Sequence, residues 1–157
     1  MAEYPFVPRS TRDLEPGQFW AVPLKDGRFA FGRVLQVGGD MIPTPSRGFF
    51  GGLHAWTGME KPTEASIAGS ALLHVGVMHI RAIVSLGGEI LGCRSLALDS
   101  IAAPILLSAM GGPGTMVLQG ATSVRPAKLE EWGRFPVLGY WGWDFIQALA
   151  NKEFTDL

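Results

Sequence analysis

The stretch from Gln18 to Val37 constrains this chain more than any other. It reads Q-F-W-A-V-P-L, then K-D-G-R, then F-A-F-G-R-V-L-Q-V. Two runs rich in aromatic and branched residues around an Asp26-Gly27 turn specify a β-hairpin. In the second run the period of two puts Phe29, Phe31, Arg33, Leu35 and Val37 on one face and Ala30, Gly32, Val34 and Gln36 on the other. Arg33 is then set among apolar neighbours. The expectation is an arginine near the sheet edge, its stem packed and its guanidinium reaching solvent or a carboxylate. A ligand-binding arginine is the alternative.

Other elements follow from punctuation. The run A-L-L-H-V-G-V-M-H-I from Ala71 to Ile80 and the β-prone R-A-I-V-S-L-G-G-E-I-L-G after it, closed by Gly87-Gly88, predict two strands. Asp99 is a possible cap, but Pro104 breaks a helix interior, so Asp99 to Met110 predicts a short helix or irregular turn and then a strand. T-M-V-L-Q-G after the break Gly111-Gly112-Pro113-Gly114 predicts another strand, and R-P-A-K-L-E-E-W a loop entering a helical turn. The tail predicts a helix started by Asp144, with Phe145, Ile146 and Leu149 as its apolar stripe and Lys152 near its end. Residues 38–61 mix glycine, proline and aromatics and read as a long excursion from the sheet or barrel.

With 21 glycines, 11 prolines and only 17% charged residues, short segments and many turns are expected to dominate. The fold class is therefore mainly β, a β-rich α+β domain: a small twisted sheet or partly open barrel with long loops and a C-terminal helix. At 157 residues and 47% hydrophobic content, one domain spanning 1–157 can fill its own core. Residues 1–15 form an arm, laid over the domain or loose.

Composition also bounds function. A net charge of −1 builds in no long-range attraction to phosphate backbones, which demotes nucleic acid. No apolar run approaches the roughly 20 residues of a membrane helix. The lone Cys93 cannot form an internal disulfide, and M-A-E-Y-P-F-V-P-R-S lacks the order of a secretory signal, so the expected compartment is reducing and cytoplasmic.

The common catalytic signatures (GxxxxGK[ST], GxGxxG, GxSxG, HExxH) do not occur. For a metal the candidates are His54, His74, His79 and Cys93, but a spacing of five puts His74 and His79 on opposite strand faces. Cys93 lies in the apolar run E-I-L-G-C-R-S-L and reads as a small buried hydrophobe. Glu130-Glu131 reads as a solvated helix face, and Tyr140, Trp141, Trp143 and Phe145 as core or a cover over the sheet. No catalytic residue, cofactor or metal is expected.

The opening P-G-Q-F-W-A-V-P-L-K-D-G-R-F-A-F-G-R-V-L, Pro16 to Leu35, resembles the hairpin that begins the immunity protein 26 family of bacterial polymorphic-toxin systems. The shared pattern is a G-aromatic-x-x-P-L turn and an aromatic-x-x-G-R-V-L strand, with fainter similarity at 72–91, 97–108 and 125–132. The chain departs from it in an extended Pro/Gly/aromatic loop and low charge. The resemblance implies a mostly β domain that neutralises a cognate toxin by direct binding, without catalysis or cofactor. Such an inhibitor needs buried aromatic anchors ringed by polar groups. The loop residues Phe49, Phe50 and Trp56, with the acids Asp40, Glu60 and Glu64, are the expected partner-binding set. The alternative is a small barrel-like module binding nucleic acid or peptide; an enzyme assembled from His74, His79, Glu89 or Cys93 and a structural assembly protein rank below it. Oligomeric state is not legible.

Overall fold

The expected hairpin is the centre of a five-stranded antiparallel sheet, in a computed structural model that describes residues 3–86 and 88–155. The first two residues of the expected arm, and Gly87 of the expected Gly87-Gly88 turn, lie outside them. Strands β1 (Gln18–Pro23), β2 (Phe29–Gln36), β3 (Gly48–His54), β4 (Leu72–His79) and β5 (Gly92–Cys93) are ordered β4-β3-β2-β1-β5. A smaller sheet holds β6 (Ile105–Leu107), β7 (Met116–Gln119) and β8 (Thr122–Pro126), in that order. Two helices, α1 (Arg81–Val84) and α2 (Phe145–Phe154), complete a β-rich α+β fold. The sheets do not close into a barrel.

Both faces of the larger sheet are covered. On one, Trp20, Val22, Ala30, Val34, Phe49 and Leu53 pack with α1 and with Ile146 and Ala150 of α2. On the other, Phe50 and Val77 meet Leu106 and Leu118 of the smaller sheet, while Phe19 and Phe31 enclose Ile67. Tyr4 and Phe6 of the arm pack on the first face, and Phe6 exchanges two backbone hydrogen bonds with Ile90 (3.1 and 2.8 Å).

The excursion expected at 38–61 contains β3, a central strand. Its glycines are not turn signals but missing side chains: a Cβ on Gly52 would lie 2.5 Å from Leu72 Cδ1, and one on Gly51 2.8 Å from Phe49 Cε2. The second strand expected after Ile80 is also corrected. Arg81–Val84 is a helical turn that buries Ala82 and Ile83, and only the two-residue β5 follows. In β2 the alternation holds up to a register shift between Val34 and Gln36. Beyond it Val37 returns to the face of Val34, and Gln36 reaches the smaller sheet, where its Oε1 accepts from Ala121 N–H (3.0 Å).

Candidate functional site

Arg33 is not near an edge. β2 is the middle strand, and Arg33 is completely buried. Its Nη1 donates to Asp99 Oδ2 (2.8 Å), and its Nη2 to the carbonyls of Arg94 (2.6 Å) and Ser95 (3.2 Å). Asp99, the last residue of a 3-10 turn (Leu96–Asp99), also accepts from Arg94 Nε (3.0 Å) and from Gly69 N–H (2.8 Å). Burial alone would raise the Asp99 carboxyl, but Gly69, Arg33 and Arg94 outweigh it and hold the pKa down at about 2. The cluster ties β2 to two loops, and its atoms are turned inward, so its geometry is that of a structural tie.

His54 lies on the same face, stacked on Phe31 at 4.8 Å between ring centroids. Burial lowers its pKa to about 4; the Ser70 carbonyl at 3.1 Å pulls it up, and Arg33 pushes it down. His54 is thus neutral in the fold. Its contribution to stability is whole above about pH 6.5 and is lost as pH falls toward 4, by roughly 3 kcal/mol. Urea denaturation across that range should show the decline, and His54→Gln should flatten it.

The remaining chemistry-bearing residues have separate neighbours. His74 pairs with Glu153 (2.8 Å), and His79 lies 5.9 Å from the Trp143 ring and accepts from Arg81 N–H. Cys93 donates weakly to Pro16 O (3.7 Å), and burial raises its pKa. Glu131 accepts two hydrogen bonds from Arg125 (2.6 and 2.7 Å), which with the Lys128 N–H brings its pKa to about 2. Among the described residues no three His, Cys, Asp or Glu side chains converge as a metal site would require.

The aromatic patch expected around residues 49–56 is not built. Phe49 and Phe50 are consecutive in a strand covered on both faces, so each enters a different core cluster and neither is exposed. Trp56 is half-buried against Phe31, and its indole N–H donates to Ser66 O (2.9 Å). Glu60 and Glu64 are exposed beyond the start of β2, where Gly58 pairs with Phe29. Asp40 follows the other end of β2, and its Oδ1 accepts from Ser123 N–H (2.7 Å). The three acids therefore do not gather round one anchor.

What is exposed and apolar gathers elsewhere. A groove of about 570 Å3 runs between β4, β6, the segment 136–141 and α2. Leu73, Ile105, Val137 and Phe145 line it and stand 41–43% exposed, four elements contributing one each. Trp141 continues into a smaller pocket with Tyr140 and His79, and Trp143 lies beyond under the Arg81 guanidinium, 4.5 Å from its ring. Of the expected cover, only Trp141 lies close over the sheet, where a Cβ on Gly76 would fall 2.4 Å from its Nε1; Tyr140, Trp143 and Phe145 are about half exposed. Gly76→Ala should therefore push the indole out of the groove, at about 1–3 kcal/mol of stability in thermal or urea unfolding. The α2 stripe divides the same way. Ile146 and Ala150 enter the core, and Phe145 and Leu149 face the groove. Exposed apolar residues were the signal for this face, but periodicity alone does not reveal which strands end as edges.

The groove thus collects half-exposed apolar side chains between the two sheets. The family model of immunity protein 26 matches residues 15–105, more than half of the chain, and the chain belongs to that family. Comparisons with curated proteins and with solved structures found no match. The matched range carries the larger sheet, the Arg33–Asp99 tie and the β4 wall of the groove; it ends at Ile105, before the 136–141 segment and α2. Among the described residues no helix is long and apolar enough to cross a membrane.

Proposed function

We propose that this chain neutralises a cognate toxin by direct protein–protein contact, without catalysis or cofactor, and that the groove with its aromatic lip makes the contact. The observation that carries the reading is the convergence of Leu73, Ile105, Val137 and Phe145, from four elements of an immunity-family chain, on one exposed apolar face. Burying such residues against a partner supplies the anchor that a tight inhibitor needs. Asp40, whose charge raises the Tyr140 pKa after burial has done so, supplies a polar rim on that side. Trp56, Glu60 and Glu64 would be a separate contact at most. The nucleic-acid alternative has less support, because His74 is the one ionisable group among the described lining residues and it is already paired with Glu153.

The test is co-purification with the protein encoded immediately upstream, taken as the candidate toxin. Ile105→Asp and Val137→Asp should each weaken the complex about 30-fold or more, the loss typical of a central anchor. Val124→Asp, also at an exposed apolar position but on β8 at the far edge of the smaller sheet, should leave it unchanged. Equal effects at all three positions would move the contact off the groove.

A further inference from the structure

Two of the groove's walls, β4 and β6, are strand edges, and an edge offers more than side chains. β4 is an edge strand of the larger sheet and β6 of the smaller. In an antiparallel ladder, residues alternately turn their N–H and C=O toward one neighbour or the other. On β4, Val77 turns outward: its N–H donates to Gly139 O and its C=O accepts from Trp141 N–H, both at 2.8 Å. The register with β3 runs without a shift from Gly48↔His79 to Leu53↔His74, so Val75 turns outward too. On β6, Leu107 donates to Pro136 O (2.8 Å) and accepts from Leu138 N–H (2.9 Å), and by the same alternation Ile105 faces the groove.

The segment 136–141 thus adds itself to both edges as an extended chain, with a parallel bridge to each, at Val77 and at Leu107. It makes no hydrogen bond to the next outward residues, Val75 and Ile105, which line the groove. No group of the described residues pairs with their outward N–H and C=O. An unpaired backbone donor and acceptor in an otherwise apolar groove select a partner that brings the complementary pair, repeated every second residue. That partner is a polypeptide in extended form, and the apolar lining selects side chains without charge.

We infer that the groove takes an extended, uncharged segment of the cognate toxin, which adds as a strand to the β4 edge at Val75 and lays apolar side chains against Ile105 and Phe145. The inference rests on the toxin-binding reading above and narrows it from a surface to a strand. The occupant continues a slot that the chain's own segment 136–141 already fills by the same hydrogen bonds.

Hydrogen exchange of the free protein and of its complex with the protein encoded immediately upstream, the candidate toxin, tests this directly. The Val75 amide should exchange at least tenfold more slowly in the complex. Val75→Pro removes that donor without touching a bond to β3, a substitution an edge strand tolerates, and should weaken the complex at least tenfold. Should the proline variant not fold, the exchange measurement on the unaltered protein decides alone. A stable, neutralising complex with Val75 exchange unchanged would overturn strand addition while leaving neutralisation by contact standing. Absence of any complex would overturn both. Protection that appears without toxin and grows with protein concentration would overturn it in favour of a second copy at the β4 edge.

Discussion

Asp99→Ala is expected to cost about 3–5 kcal/mol of folding stability, because it leaves Arg33 charged and buried with no counter-ion. Neither side chain of the pair has any exposure, and the two lie 66 positions apart in sequence. The same carboxylate anchors Arg94 and the Gly69 N–H, so its removal also frees two loops. The urea midpoint measures the loss. A double replacement, Arg33→Met with Asp99→Leu, should recover much of it, since the penalty comes from the orphaned charge rather than from a lost attraction. The pH response has the sign of a depressed carboxyl. The stability contributed by ionised Asp99 is whole above about pH 4 and is lost as pH falls from there toward 2. Asp99→Asn should remove that acid-dependent fall.

Phe31→Ala is expected to cost about 3–5 kcal/mol. The ring is completely buried, meets Phe19 and Trp56 edge-on at 6.3 and 5.6 Å, and carries His54 on its face. β2 is paired on both sides, so the backbone has little freedom to collapse into the space left. Denaturant unfolding should show the loss with the slope unchanged. A cost below about 1 kcal/mol would show that the ring does not fill the core position it occupies here.

The hairpin was legible because alternation, β-branched and aromatic residues and the Asp26-Gly27 turn all agree. Helix α2 was legible from its apolar stripe and the cation near its end, although that stripe is shared between core and groove and the Asp144 side chain makes no capping hydrogen bond. β3 was not legible. Gly48, Gly51 and Gly52 look like turn signals until the close approach of Leu72 and Phe49 shows why no side chain fits there. Consecutive residues in a doubly covered strand are buried on opposite faces, which is why Phe49 and Phe50 are not exposed. The Arg33–Asp99 tie was half legible: a carboxylate partner follows from an arginine among apolar neighbours, but its identity depends on how residues 94–99 cross the sheet. The groove depends on which strands end as edges, and short-range pattern carries no record of that.

The immunity-family match stops at Ile105, so one wall of the groove lies inside it and the other outside. On the proposed reading, the matched part supplies the scaffold and the β4 edge, and the 136–145 segment with α2 shapes what that edge accepts.

Neutralisation by the groove is measured by the growth of bacteria expressing the protein encoded immediately upstream, the candidate toxin, together with this chain or with its Ile105→Asp/Val137→Asp variant. The unaltered chain should restore growth and bind the toxin, and the folded variant should do neither. Failure of the unaltered chain to bind or rescue, or full rescue by the variant, would contradict it.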